Sequence, residues 1–232
     1  MKTLLLIDAN SLIHRAFHAL PPLSAPDGRA TQALYGLSSV LIKIFRDSKP
    51  DYVAALFDRP EPTFRKEKFK DYKAHRPKAP DDLISQIIEA KNLFGKFGIR
   101  VFEKPGFEAD DLIATLATRF KDLEDLQVVI LTGDLDTLQI VEGEKLVVRT
   151  FKKGISETMT YDDEAVRERY GLEPKQLTDY KALVGDQSDN IPGVSGVGEK
   201  TATSLLQKYG TLENVFKNLD KEPKLGKKLV GA

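Results

Sequence analysis

A chain of 232 residues with 41% hydrophobic and 8% aromatic content can bury a sizeable core in one or two domains. The absence of cysteine removes disulfide frameworks, thiolate metal sites and cysteine nucleophiles, and the balance of 35 Lys+Arg against 35 Asp+Glu says nothing by itself about a polyanionic partner. No apolar run approaches the roughly 20 residues of a membrane span, and the first one meets Asp8 too early for a signal peptide, so a soluble, cytoplasmic protein without membrane contact is expected.

Thr3 to Ile7 is a continuous apolar run ending in Asp8, and Tyr52 to Phe57 is another ending in Asp58. Short runs of this kind predict strands buried on both faces. A helix is expected over Ala33 to Arg46, then a region of four prolines and little periodicity at 59–80 that reads as a long, partly mobile loop or arch rather than a packed element. A second helix follows over Asp82 to Phe97, a strand over Ile99 to Phe102, and a third helix over Glu108 to Phe120 with Leu112, Ile113, Leu116, Ala117 and Phe120 on one face. Strands are predicted again at Gln127 to Leu131, running into Thr132-Gly133-Asp134-Leu135-Asp136, and at Lys145 to Phe151. Alternating strands and helices imply α/β architecture, with a mostly parallel central sheet flanked by helices. After about residue 160 the pattern turns helical, with helices at Pro174 to Val184 and Lys200 to Tyr209 around a Gly-rich turn at Pro192 to Gly198. Two domains are therefore expected, 1–160 and 161–232, with the basic arch inside the first.

Nine acids stand at the ends of these elements: Asp8, Asp58, Glu108, Asp110, Asp111, Asp134, Asp136, Asp186 and Asp189. Any one cluster has a plain explanation as a helix cap, a dipole partner or a turn former. Together they are harder to dismiss, because four of them leave a parallel sheet at its carboxyl edge, where ligands gather. So many like charges in one place are unfavourable unless cations or protons neutralise them. All-oxygen ligands favour Mg²⁺ or Mn²⁺ over Zn²⁺. Two such ions about 4 Å apart suit in-line attack at a phosphodiester.

Residues 59–78 hold eight Lys/Arg against three Asp/Glu and interleave Arg65, Lys66, Lys68, Lys70, Lys73, Arg76 and Lys78 with Phe64, Phe69 and Tyr72. A solvated charged loop would look the same in charge. The aromatics add a surface for unstacked bases beside groups that hold phosphates, which is what gripping a single strand requires. Further on, Gly193-Val194-Ser195-Gly196-Val197-Gly198 precedes Glu199-Lys200-Thr201. Either a structural turn or a hairpin on a duplex backbone fits. A nucleotide-binding P-loop does not, since Glu199 separates Lys200 from the last glycine and no buried strand precedes.

Ile7-Asp8-Ala9-Asn10-Ser11, Phe57-Asp58, Tyr72-Lys73-Ala74-His75-Arg76-Pro77, Glu108-Ala109-Asp110-Asp111, Thr132-Gly133-Asp134-Leu135-Asp136 and Gly185-Asp186-Gln187-Ser188-Asp189-Asn190-Ile191-Pro192-Gly193-Val194 resemble, in order and spacing, the motif set of the 5′→3′ exonuclease domains of bacterial DNA polymerase I, in the flap endonuclease superfamily. The resemblance runs almost end to end. It implies a PIN-like 5′ nuclease fold with an arch and a C-terminal helical subdomain carrying a helix-three-turn-helix motif. It also implies that Asp8, Asp58, Glu108, Asp110, Asp134, Asp136 and Asp186 are inner metal ligands, with Asp111 and Asp189 more peripheral. Lys73 and Arg76 match arch residues at the scissile phosphate, Tyr72 an aromatic on a base, and Arg15 a basic residue near the site. Gly193, Val194, Gly196, Val197, Gly198, Lys200 and Thr201 match the duplex-binding hairpin, which in the family also holds K⁺ through backbone carbonyls. Leu135 and Gln32 depart from the pattern, standing where a basic residue and Asn are common.

The expected function is a structure-specific 5′ nuclease, both 5′→3′ exonuclease and flap endonuclease. It would use two Mg²⁺ or Mn²⁺ ions on DNA at a junction of 5′ single strand and duplex, in replication and repair. A monomer is expected, cut or naturally short at residue 232, where relatives continue, so that a C-terminally fused DNA polymerase is compatible with it. The alternatives are a non-catalytic structure-specific DNA-binding module and a PIN-like RNase; a pure binder gains nothing from acids that repel phosphate.

Overall fold

The computed structural model describes residues 1–154 and 157–222. In chain order its main elements are β1 (Lys2–Asp8), α1 (Ala9–Ala19), α2 (Gln32–Asp47), β2 (Tyr52–Phe57), α3 (Phe64–Lys68), α4 (Asp81–Lys96), β3 (Arg100–Glu103), α5 (Ala109–Phe120), β4 (Leu126–Leu131), β5 (Leu146–Lys153), β6 (Glu157–Tyr161), α6 (Asp163–Tyr170), α7 (Leu177–Val184), β7 (Gly185–Asp186), β8 (Ile191–Pro192), α8 (Glu199–Tyr209) and α9 (Leu212–Lys217). They form two compact units: Met1–Thr63 with Pro77–Asp162, and Phe64–Arg76 with the chain from Asp163 onward. Among the described residues no helix is long and apolar enough to cross a membrane.

The first unit is built on a six-stranded sheet in the order β3-β2-β1-β4-β5-β6, parallel except for β6. Alternation along the strands feeds two cores. Leu5, Ile7, Ala55, Phe57, Val129, Leu131 and Val147 pack in one cluster with Leu12, Ile13, Leu37, Leu41, Leu83 and Phe94 from α1, α2 and α4. On the other side α5 packs against β1, β2 and β4, with Ile113 and Ala117 fully buried. Each strand end is thus clamped between helices, which gives the residues just beyond it little freedom to wander.

The strand order reverses beside β1: β2 and β3 lie to one side, β4 and β5 to the other. Ile7 pairs with Leu131 and Asp8 with Leu56, so β1, β2 and β4 end nearly level. A crevice at the carboxyl ends of strands next to such a reversal is the usual ligand position in open α/β sheets. On the same side, α2 begins without a side-chain cap of its own from Thr31. Buried Gln86 of α4 supplies it, its Oε1 accepting from Ala33 N at 2.8 Å and Leu34 N at 3.3 Å.

The expected parallel sheet and its helices are present, with end points moved by a residue or two. Several elements escaped the sequence reading. The α1 helix follows Asp8 directly, and the spacing of its buried Ala9, Leu12, Ile13 and Ala16 is helical. The polar, antiparallel edge strand β6 has only Tyr161 buried, so no apolar run announces it.

The second unit is mainly helical. The expected helix over Pro174 to Val184 begins as a 3₁₀ turn, Pro174–Gln176, before α7. After α7 the chain pairs with itself as β7 and β8, two residues each. Gly193 fits only as glycine there, since a Cβ would lie 2.2 Å from the Val184 carbonyl, and Gly185 adopts φ +84°. The basic segment is not the unpacked loop expected from its prolines. Residues 64–76 include α3, Tyr72 is buried, and the stretch belongs to this helical unit because its partners lie on the β7–β8 turn.

Candidate active site

The end of β1 carries the most buried acid of the set. Asp8 is 5% exposed and caps α1, its Oδ1 accepting from Ser11 N at 3.0 Å. Its Oδ2 accepts from the Thr132 hydroxyl at 2.7 Å, and the same Thr132 oxygen accepts from Asp134 N at 2.9 Å. One buried hydroxyl therefore ties the exit of β1 to the exit of β4. Asp134 Oδ1 in turn accepts from Asp136 N at 2.9 Å, turning the chain into the short 3₁₀ segment Asp136–Ile140 that follows.

Asp58 leaves β2 beside them. Its N–H donates to Asn10 Oδ1 at 3.1 Å, and its Oδ1 accepts from Ala109 N at 2.7 Å, which brings the start of α5 to the same edge. Glu108 and Asp111 form the reciprocal capping box of α5, with Glu108 N donating to Asp111 Oδ2 at 2.9 Å. Asp111 is therefore occupied with capping, and Asp110 stands in the same helical turn. Gly133 N donates to Ser11 Oγ at 2.8 Å, tying the loop after β4 to the first turn of α1.

This arrangement is electrostatically strained. Burial, with the charges of Asp58 and Asp134 adding to it, outweighs the Ser11 and Thr132 hydrogen bonds and raises the Asp8 carboxyl from 3.8 to about 6. Carboxylates held by neutral donors and pressed upon by one another call for an external cation.

In the helical unit the acids are held differently. Asp186 accepts from Lys181 Nζ at 2.7 Å and from the Ser188 hydroxyl and N–H at 2.7 and 2.8 Å. Burial opposes its ionised form, but these donors win and lower it to about 2. Asp189 accepts from the Tyr72 hydroxyl and the Arg76 guanidinium. Tyr72 and Arg76 are therefore turned toward this carboxylate, and the Lys73 ammonium lies 4.8 Å from the Tyr72 ring centre. Arg65 stacks over Phe64 at 4.6 Å. In the hairpin Val197 is buried, Gly196 adopts φ +74°, Gly198 caps α8, and Gly193 and Lys200 are exposed, while Val194 and Thr201 are half-buried. Arg15 belongs to the first unit, where its guanidinium donates to the Gly154 and Phe151 carbonyls at 2.6 and 3.2 Å and covers the Phe151 ring.

The sequence matches the family described as 5′-3′ exonuclease, N-terminal resolvase-like domain, over residues 3–171, and that described as 5′-3′ exonuclease, C-terminal SAM fold, over residues 172–232. The chain belongs to the 5′-3′ exonuclease family. It is 46% identical over 220 residues to DNA polymerase I of Mycobacterium tuberculosis, covering 94% of this chain but 24% of that protein. It is 42% identical over 221 residues to a 5′-3′ exonuclease of Aquifex aeolicus, covering 95% of this chain and 74% of the relative. The chain thus spans about a quarter of the polymerase relatives' length. Its fold is shared with a T5 5′-exonuclease described with bound zinc ions, at TM-score 0.74 and 23% identity over 94% of this chain and 79% of that one. A bacteriophage T5 flap endonuclease described in complex with DNA and metal ions gives 0.75 and 21%, over the same shares.

For this member of the 5′-3′ exonuclease family the donor set fits a hard divalent ion: oxygen ligands, no thiol, and a buried acid whose raised pKa a cation would reverse. Thr132, Asn10 and Ser11 lie inside recognised motifs, yet the sequence reading gave them no role. Their signal was available, since small polar residues directly beyond a buried strand commonly bond to backbone and neighbouring loops.

Proposed function

We propose that this chain is a divalent-metal-dependent nuclease that hydrolyses DNA phosphodiesters near the junction of a 5′ single strand and a duplex. The observation that carries the reading is that Thr132 joins Asp8 to Asp134 at the sheet edge where Asp58 leaves β2, with Asp58 bonded to Asn10 and to the start of α5. Family membership supports it. Asp8, Asp58, Glu108, Asp110, Asp134 and Asp136 hold the metal, Mg²⁺ or Mn²⁺ and two ions in number, and Asp186 and Asp189 are further candidate metal ligands. When bound, such ions activate water and stabilise the leaving oxygen. Lys73 and Arg76 bind the scissile phosphate and offset charge that develops in the transition state. Tyr72 lies beside a base, and Arg65 and Arg15 contact the strand. The hairpin from Gly193 to Thr201 holds the duplex backbone without reading sequence, as a helix-three-turn-helix element with K⁺ on its carbonyls. The protein works as a monomer in the cytoplasm, and a polymerase fused after residue 232 would use the nicks it leaves.

A labelled 5′-flap duplex tests this. Cleavage near the junction is expected with Mg²⁺ or Mn²⁺ and none in EDTA, and an Asp134→Ala/Asp136→Ala variant should lose at least about 100-fold in rate. Full cleavage by that variant, or cleavage indifferent to chelator, contradicts the metal assignment. Preference for an RNA flap of the same sequence contradicts the substrate class.

A further inference from the structure

One carboxylate stands at the centre of the contacts between the basic segment and the β7–β8 turn. Asp189, whose side chain is 14% exposed, accepts from Arg76 Nη2 through Oδ1 at 2.5 Å and from the Tyr72 hydroxyl through Oδ2 at 3.0 Å, with Lys73 Nζ at 4.0 Å. Backbone contacts surround it. Lys73 N donates to the Asp189 carbonyl at 2.9 Å, Arg76 Nε to the Ser188 carbonyl at 3.2 Å, and Asn190 Nδ2 to the Asp71 carbonyl at 2.8 Å. Lys73 adopts φ 54°, which a residue with an ordinary Cβ side chain holds when its surroundings impose it, and Asn190 adopts φ 59°, a conformation that asparagine tolerates.

The three side chains gathered on Asp189 are those assigned above to the phosphate and its base. To a guanidinium, a carboxylate offers the same paired anionic oxygens that a phosphate does. We propose that Asp189 is a latch: it holds Arg76, Tyr72 and Lys73 on the β7–β8 turn, and a divalent cation that claims its carboxylate releases them for phosphate. An oxygen already accepting a short charge-assisted bond is a poor ligand for a hard cation, so the two uses compete. Competition of this kind is reciprocal: metal loosens the segment, and the latched segment weakens metal binding. The releasing step rests on the metal-dependent reading above; the latch itself does not.

Hydrogen exchange of the whole chain without DNA reads both parts. Asp189→Asn keeps an acceptor for Tyr72 and every backbone bond but removes the charge that holds Arg76. In EDTA, amides of residues 69–76 are expected to exchange about tenfold faster in Asp189→Asn than in wild type. Asp186→Asn keeps an oxygen for Ser188 and for the Asp189 N–H, which donates to it at 3.3 Å, and loses only the charge facing Lys181, so it should leave them within about twofold. Mg²⁺ should speed exchange of these amides in wild type toward the Asp189→Asn rate and leave Asp189→Asn unchanged. Equal exchange of wild type and Asp189→Asn in EDTA overturns the latch, and wild-type exchange indifferent to Mg²⁺ overturns its release by metal. Should Asp189→Asn also loosen α7 and α8, Arg76→Gln replaces it as the deciding variant, since it removes the same ion pair from the opposite side, with the Nε bond to the Ser188 carbonyl, and changes no residue of the turn. A wild type that fails to cleave a flap would sink the nuclease reading, while the comparison in EDTA still decides the latch.

Discussion

The two units hold their acids in opposite ways. In the α/β unit Asp8, Asp58 and Asp134 accept from backbone N–H groups and a hydroxyl, all neutral donors that orient a carboxylate without cancelling its charge. In the helical unit Asp186 and Asp189 accept from Lys181 and Arg76, so the charge is met by the chain itself. Neutral donors build a preorganised site that stays costly until a cation arrives. Charged donors build a site that is stable by itself and must give up a partner to bind anything.

The largest effect that could break this contrast belongs to Asp8. A carboxyl raised from 3.8 to about 6 on folding costs about 3 kcal/mol once it is ionised. The folded protein then binds more protons than the unfolded one between those values. Stability from this group is therefore highest below pH 3.8, falls as pH rises, and the loss is complete above about 6. Asp8→Asn keeps the cap on α1 and should raise the melting temperature at pH 7 in EDTA by about 6 to 12 °C. It should also abolish stabilisation by Mg²⁺. A lower melting temperature in EDTA would mean that the charge is compensated after all.

A smaller effect is expected at Thr132, whose hydroxyl serves Asp8 and Asp134 together. Thr132→Val preserves shape but leaves the Asp134 N–H and the Asp8 oxygen without that partner. Calorimetric titration should show Mg²⁺ affinity reduced about 10- to 100-fold. Unchanged affinity would show that the bridge is structural alone.

The smallest effect sharpens the other half of the comparison. Lys181→Met removes the cation that holds Asp186 near 2, so its carboxyl should titrate at higher pH by NMR. Because a lowered carboxyl pKa stabilises the fold above its unfolded value and loses that contribution as pH falls, the acid-unfolding limb of the variant should move to higher pH. Activity at neutral pH tests the same contrast: freed from its lysine, Asp186 should bind a divalent ion no more weakly than before.

Much of the α/β unit was legible because parallel strands buried on both faces are written as continuous apolar runs. Leu4 to Ile7, Ala54 to Phe57 and Val128 to Leu131 are all buried, and an acid lies within three residues of each. The helix α1 was hidden by that same legibility: Asp8, read as a ligand, is also a helix cap. The edge strand β6 and the short helix α3 were not legible, since Glu157–Tyr161 and Phe64–Lys68 bury almost nothing and so carry no hydrophobic period.

The sequence by itself determined which strands end in acids, that the donor set is all oxygen, and that the residues fall in the order of the 5′-3′ exonuclease family. These depend on composition and local spacing, which a linear chain displays directly. Only tertiary structure decided that Thr132 bridges Asp8 across 124 positions, that Asp58 meets Ala109 across 51, and that Arg76 is held by Asp189 across 113. Contacts between distant positions follow from strand order and turn geometry, and the pKa of a buried acid follows from those contacts, so neither leaves a periodic trace along the chain.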